Sequence, residues 1–156
     1  MAFSRRARCV WRRAHLRLLA DRGNSPTVVP LEALGALSVQ SYIRLVSDVV
    51  YTDEFRDWWD TLSETQQEDI AHGVDLLQAK GHGLGFPWTS AIKGANFALR
   101  ELRVQSKGRP IRVFYAFDPA RSAVLLIGGE KKGQPRFYDR MIRFSERLWS
   151  EYLSSY

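Results

Sequence analysis

The chain has only one cysteine, Cys9, and two methionines among its 156 residues. A single thiol cannot form a disulfide within the chain, which suits a protein of the reducing cytoplasm. No apolar run approaches the roughly 20 residues that span a bilayer, so no membrane association is expected. These absences predict a cytoplasmic globular protein, and the length is that of one domain.

Several enzyme signatures are missing as well. Three scattered histidines, one cysteine and no close cluster of carboxylates argue against a metal site, and no cofactor is expected. Gly81, Gly83 and Gly85 lack the preceding strand and following helix of a phosphate-binding loop. No Gly-x-Ser-x-Gly elbow of a serine hydrolase is present.

Charge is distributed unevenly along the chain. Residues 46–79 hold nine acidic residues and only one basic residue, Arg56, whereas residues 80–156 hold fourteen basic and six acidic residues. The later part is therefore suited to a polyanion, and the part before it is acidic. The alternative is a fold that simply spreads both signs over its surface.

The chain divides near residue 46. Residues 1–45 carry eight arginines against two acidic residues, and Gly23–Pro26 interrupts them. We expect this segment to be a basic extension that is poorly ordered or weakly helical. It could be an arginine-rich arm for nucleic acid or the product of a start site assigned too early. Residues 46–156 are expected to form the folded domain.

The folded part is predicted to begin with a strand at 46–51 and two helices. Thr52 or Asp53 can cap the first helix, because each offers a side-chain oxygen to free backbone amides. Ser63–Gln66 has the pattern of a capping box and begins the second helix, which ends at the glycines from Gly81 onward. After a loop over 82–96, three strands are predicted at 97–105, 110–117 and 122–128, followed by a helix at 136–152.

Alternation along these strands assigns side chains to two faces. Glu101, Arg103 and Arg112 share one face, while the apolar Leu102 and Val104 point to the other. The apolar face is expected to rest on the helix pair. The charged face is expected to lie open to solvent or ligand.

The order of elements and five short motifs carry a family resemblance. The motifs are Tyr51–Phe55, Leu99–Val104, Arg112–Tyr115, Gly128–Lys132 and Phe137–Tyr138. Together they resemble the RelE/ParE superfamily of type II toxins, and most closely its HigB-like, phage-derived Gp49-like branch, over about residues 48–153. The resemblance implies an α+β fold in which a two-helix hairpin packs on a small antiparallel sheet of about four strands, with a C-terminal helix.

The resemblance also implies an activity. Toxins of this kind cleave mRNA without a metal, usually on the ribosome, and so inhibit translation. The RNA 2′-hydroxyl attacks the adjacent phosphate and leaves a 2′,3′-cyclic phosphate. This chemistry needs a base, cations around the phosphorane and a proton donor for the 5′-oxygen. The catalytic positions implied here are Glu101, Arg103, Arg112, Lys132 and Tyr138.

Arg112 leads this set because a guanidinium fork matches two phosphate oxygens. Tyr138 matches an aromatic position that stacks on a base or orients the hydroxyl. The expected RNA-binding residues are Lys93, Arg100, Lys131, Phe137 and Arg140.

Simpler structural roles are open for most of these residues. Glu101 could be the general base or could only pair with Arg103, and Arg112 could form a salt bridge with Glu101. Lys131 and Lys132 could be solvated turn residues. Tyr138 could belong to the core.

The resemblance further implies partners. We expect a cognate antitoxin with a helix-turn-helix domain, mRNA and the ribosome as targets, and operator DNA bound through the antitoxin complex. Two other functions remain open. One is a ParE-like inhibitor of DNA gyrase, and the other is an inactive relative that binds only antitoxin or DNA.

Overall fold

The computed structural model describes residues 9–10 and 48–156. The rest of the basic extension, including its expected weak order, lies outside these described residues. The strands are β1 Cys9–Val10, β2 Val49–Tyr51, β3 Thr89–Ala91, β4 Arg100–Ser106, β5 Arg109–Phe117 and β6 Ala123–Glu130. The helices are α1 Asp53–Asp60, α2 Glu64–Lys80 and α3 Phe137–Ser154, with a 3₁₀ turn at Gly81–Gly83.

The strands form one sheet in the order β1-β2-β6-β5-β4-β3. Neighbouring strands are antiparallel except β2 and β6, which are parallel. The predicted α+β class, helix pair and C-terminal helix are confirmed. Two short strands were not predicted, namely β1 in the basic extension and β3 in the expected loop 82–96, so the sheet is wider than the four strands expected. It is mixed rather than antiparallel because β2 and β6 are parallel.

The helix pair begins and ends at the predicted capping residues. The Thr52 hydroxyl accepts a hydrogen bond from the Phe55 amide at 3.1 Å and donates one to the Leu126 carbonyl at 2.6 Å, so it caps α1 and joins it to β6. Ser63 and Gln66 form the reciprocal capping box of α2. Local sequence therefore fixes where both helices start.

The larger core lies between the helix pair and one face of the sheet, here called the hairpin face. Its strand residues include the predicted Leu102 and Val104, and the helices contribute Phe55, Ile70 and Leu77. All five are buried. The predicted orientation of the apolar face is therefore confirmed.

The opposite face, here called the α3 face, is covered as well. Leu99, Val124 and Leu126 pack there against Leu148 and Trp149 of α3. The hydroxyl of Tyr152 fixes the end of this helix by donating to Asp118 Oδ2 at 2.9 Å. The expectation that this face lies open to solvent is wrong, because α3 packs its own apolar stripe on it.

Two consecutive glycines in β6 allow aromatic rings to approach the strand from both sides. A Cβ atom on Gly128 would lie 2.1 Å from the Trp58 ring of α1 on the hairpin face. A Cβ atom on Gly129 would lie 3.0 Å from the Phe137 ring of α3 on the other. No other residue type leaves this space. In the described part of the chain, no helix is long and apolar enough to cross a membrane.

Candidate active site

Arg112 lies in the middle of β5, directly opposite Arg103 of β4. Arg112 is only 5% exposed, and its Nη1 atom donates a hydrogen bond to the Ile111 carbonyl at 3.0 Å. Its Nε atom is buried without a hydrogen-bond partner and lies 3.7 Å from Glu101 Oε2. The Arg112 charge is therefore balanced by Glu101 in an ion pair that lacks a close hydrogen bond from Nε.

Glu101 supplies the carboxylate that pairs with the Arg112 guanidinium. Its Oε1 accepts a hydrogen bond from the Ser90 hydroxyl at 2.9 Å, and its Oε2 accepts one from the Tyr138 hydroxyl at 2.8 Å. The residue is 6% exposed. The sequence left open whether Glu101 forms an ion pair with Arg103 or with Arg112. In the structure its partner is Arg112. With both oxygens occupied, the carboxylate is arranged to position its neighbours.

Tyr138 stands at the start of α3 and lies half-buried over this pair. Its ring meets Phe114 and Phe137 edge to face, at centroid distances of 6.2 and 5.4 Å. Burial and the hydrogen bond to Glu101 raise the pKa of Tyr138, and the nearby Arg112 opposes this only in part. The phenol is therefore a neutral hydrogen-bond donor at physiological pH. It is fixed by polar contacts as well as by packing.

The predicted basic residues after β6 lie at the exposed rim of the site. The Lys131 ammonium lies 5.2 Å from the centre of the Tyr138 ring, which is a cation–π distance. Lys132 follows it and is exposed. Phe137, by contrast, is buried against Phe114 and Met141, so it supports Tyr138 from below.

Arg103 lies on the wall of a pocket of about 430 Å³ at the edge of the sheet, beyond the end of β3. Its guanidinium lies 5.3 Å from the centre of the Phe86 ring. Trp88, Asp69 and Arg112 also line this pocket. The two predicted arginines therefore share one cavity, and sequence reasoning missed its aromatic and acidic members. An aromatic-proline-aromatic run, Phe86–Trp88, was the available signal.

Arg140 belongs to a row of arginines along α3. The row consists of Arg136, Arg140, Arg143 and Arg147, which line a groove of about 650 Å³ beside Ile127 and Phe144. Gln134 binds Arg140, and Glu151 pairs with Arg147 at 3.2 Å. Only Arg140 was predicted, although the spacing of Arg140, Arg143 and Arg147 places these three on one helix face, and Arg136 directly precedes the helix.

Two predicted RNA-binding residues lie elsewhere. Arg100 projects to the hairpin face, where its Nε donates to the Tyr115 hydroxyl at 3.3 Å. Near it, the His82 imidazole stacks on Phe117 with ring centres 3.6 Å apart. Burial, and then the charges of Arg121 and Arg100, lower the pKa of His82. Lys93 is exposed in the loop after β3.

The central site thus joins a buried guanidinium, a neutral phenol and exposed ammonium groups. Among the described residues, no three histidine, cysteine, aspartate or glutamate side chains meet as metal ligands would. The arrangement can bind a phosphate and stabilise additional negative charge on it.

Comparison with known proteins places the chain in a family. Residues 57–150 match the family described as "Phage derived protein Gp49-like (DUF891)". The chain is 33% identical over 109 residues to the toxin candidate HigB3 of Mycobacterium tuberculosis, covering 69% of this chain and 94% of HigB3. It is 31% identical over 102 residues to the toxin candidate HigB2 of the same organism. That match covers 64% of this chain and 51% of HigB2, so the chain spans about half the length of that relative.

The matched region begins within α1 and contains all of α2, the strands β3 to β6 and most of α3, and with them every residue of the central site. The chain therefore belongs to the phage-derived Gp49-like family, within the HigB-like branch of the RelE/ParE superfamily of type II toxins.

Proposed function

We propose that this protein is the toxin of a type II toxin–antitoxin system and acts as a metal-independent endoribonuclease on mRNA at the ribosome. The observation that carries the proposal is the placement of Arg112 and Arg103, which lie directly opposite each other on β5 and β4 and line one pocket. Like charges directly opposite each other on neighbouring strands destabilise a sheet, and Glu101 pairs with Arg112 rather than with Arg103. A phosphodiester bound between the two arginines would supply further negative charge.

The proposed reaction is the attack of the RNA 2′-hydroxyl on the adjacent phosphorus. The 2′-hydroxyl proton passes to solvent water as a bond forms from the 2′-oxygen to phosphorus, and the bond to the 5′-oxygen breaks, which leaves a 2′,3′-cyclic phosphate and a 5′-hydroxyl. Arg112 and Arg103 would stabilise the two negative charges of the phosphorane. The 5′-oxygen must gain a proton as it leaves, and the ammonium of Lys131 or Lys132 could supply it at the exposed rim.

Tyr138 would be a positioning residue beside the phosphate, because its one hydroxyl proton is donated to Glu101. Glu101 would be a positioning residue in this scheme, because Ser90 and Tyr138 occupy its oxygens. This differs from the role of general base considered from the sequence. The exposed arginines of α3 would add a track for the RNA backbone, since cationic side chains at the helix spacing neutralise successive phosphates.

A toxin of this class requires a neutralising partner. We propose a cognate antitoxin with a helix-turn-helix domain that binds operator DNA as the complex. The acidic outer surface of the helix pair and the basic α3 groove are the two oppositely charged surfaces on which it could dock. Co-purification of the chain with the neighbouring gene product tests this part.

The activity is tested with the purified full chain in a translating extract, where primer extension maps cleavage of a reporter mRNA. We expect cleavage by the natural protein and a loss of at least ten-fold in Arg103→Ala. Arg109→Ala is the matched control, because Arg109 is an exposed arginine at the end of the same strand pair and pairs with Glu130 at 3.4 Å. Arg112→Lys, which keeps the buried charge but not the fork, should also lose cleavage while remaining folded.

The gyrase alternative is examined in parallel by a DNA supercoiling assay. Intact mRNA together with blocked supercoiling would overturn the ribonuclease in favour of a ParE-like inhibitor. Intact mRNA and normal supercoiling, with antitoxin binding retained, would leave a binding protein without either activity.

A further inference from the structure

The pocket at the edge of β4 is lined by two chemically different sets of residues. One set is the arginines Arg103 and Arg112, and the other is Phe86, Trp88 and Asp69. We propose that this pocket binds an unpaired RNA base next to the phosphate held at Arg112, and so sets where the RNA is cut. The proposal rests on the proposed function, and it adds a base-binding subsite formed by residues outside the set predicted from the sequence.

The aromatic side chains of the pocket are unusually exposed. Phe86 is 77% exposed and Trp88 is 42% exposed, and they are separated only by Pro87. Large apolar side chains placed together at the surface indicate a binding site. Aromatic rings that stack on unpaired bases are the common means by which proteins hold single-stranded RNA.

The position of Arg103 connects these rings to the phosphate. Its guanidinium lies over the Phe86 ring at 5.3 Å, and its backbone amide donates to the Trp88 carbonyl at 2.8 Å. The aromatic segment is therefore held beside the strand that carries the arginine. A nucleotide has groups that match both sets of residues, because it carries an anionic phosphate at one end and a flat base at the other.

Asp69 of α2 supplies an acceptor in the lining of the same pocket. Within residues 48–156 its carboxylate has no hydrogen-bond or ion-pair partner, and it lines the pocket with His72. Guanine presents two adjacent N–H donors that match the two oxygens of a carboxylate, whereas uracil presents one N–H between two carbonyls. We therefore expect guanine to be preferred over uracil at this position.

The pocket volume of about 430 Å³ falls within the range of roughly 300–1,000 Å³ that is usual for small-molecule sites. A base of either size fits, so stacking and the Asp69 contact must provide the discrimination. A peptide side chain is the competing occupant. The nucleotide is favoured because Arg103 and Arg112 also line the pocket and would bind an anion close to the Phe86 ring.

The test uses the full chain and fluorescein-labelled hexamers of 2′-O-methyl RNA, which cannot be cleaved at the modified riboses. One hexamer is uridine throughout, a second has one central guanine, and a third has an abasic site there. Fluorescence anisotropy measures the Kd of each. We expect the guanine hexamer to bind roughly ten-fold more tightly than the abasic one, which is the range for stacking of one base.

Three variants locate this discrimination. Phe86→Ala and Trp88→Ala should bind the guanine and abasic hexamers alike. Asp69→Asn should bind guanine no better than uracil and keep its preference over the abasic hexamer. Phe97→Ala is the matched control, because Phe97 is 38% exposed but lies outside the pocket, and it should behave as the natural protein does.

The outcomes separate this inference from the proposed function. Base discrimination that depends on Phe86 but comes with no cleavage of natural RNA would overturn the ribonuclease and support the subsite. Cleavage of RNA with equal binding of all three hexamers would overturn the subsite alone. Loss of antitoxin binding in Phe86→Ala, with hexamer binding unchanged, would also overturn it and assign the pocket to a protein partner.

Discussion

The hydroxyl of Tyr138 donates a 2.8 Å hydrogen bond to Glu101, which lies 37 positions earlier in the chain. This bond joins the first turn of α3 to β4. Ser90 of β3 and Arg112 of β5 approach the same carboxylate. Four separate elements therefore meet at one buried charge, and the site depends on each of them.

Removing that hydroxyl is predicted to destabilise the fold. Tyr138→Phe keeps the ring contacts with Phe114 and Phe137 but leaves one oxygen of Glu101 with only the more distant Arg112. Hydrogen bonds to charged groups contribute about 1.5–3 kcal/mol, so the free energy of unfolding should fall by about that amount. Urea denaturation of the full chain measures it.

A double-mutant cycle with Glu101→Gln is the control for this prediction. If Tyr138 acts through Glu101, its substitution should cost less when the carboxylate charge is already absent, because interacting residues are not additive. Additive losses in Tyr138→Phe and Glu101→Gln would mean that the hydroxyl acts on the stability by another route.

The close approach of Trp58 to β6 gives a second prediction. Gly128→Ala places a methyl group where the indole ring lies, since the added Cβ atom would be 2.1 Å from it. Overpacking of this kind typically costs about 1–3 kcal/mol, and the thermal midpoint of unfolding should fall accordingly. Gly83→Ala is the matched control, because nothing lies within 4 Å of its added Cβ atom. Equal midpoints in the two variants would contradict the packing described for Trp58.

The lowered pKa of His82 predicts a pH dependence of stability. Below its ordinary value of 6.5 the unfolded chain binds a proton more readily than the folded one, so the free energy of unfolding decreases as the pH falls from 7.5 toward 5.5. The effect should be small, because the imidazole is largely exposed. His82→Asn should reduce this loss, as measured by the urea midpoint at both pH values.

Arg121→Gln serves as the comparison for this titration, because the Arg121 charge is one of the causes that lower the pKa of His82. It should weaken the pH dependence in the same direction. The same loss of stability in all three proteins would assign the acid sensitivity to the carboxylates instead.

Much of the fold could be predicted because its signals are local. Thr52, the Ser63–Gln66 capping box and the apolar spacing of both helices each act within a few residues, and the structure confirms them. The predicted strands 97–105 and 110–117 leave a short turn between them. In the structure Lys107 and Gly108 form this turn between β4 and β5, and both take the positive φ angles that a two-residue hairpin requires.

The covered α3 face could not be read in the same way. Alternation assigned Arg112 to a face but could not say what covers it. A partial signal was present, because Phe114, Ala116, Val124 and Leu126 are apolar on the face that also carries the arginines. Strands that are apolar on both sides are usually buried on both sides.

The strands β1 and β3 escaped prediction for a different reason. They have two and three residues, too few for a period to be recognised, and they form because a longer neighbour offers free backbone groups at each edge. The edge pocket depends on β3 beginning at Thr89, directly after the aromatic segment, so it was missed with the strand.

The paired glycines of β6 have a mechanical consequence. At Gly128 and Gly129 only the thickness of the main chain separates an indole that belongs to the first helix from a phenyl ring that belongs to the last. No side chain lies between them to absorb a displacement. A displacement of either helix would therefore press directly on the main chain of β6, and through it on the ring that packs against Tyr138.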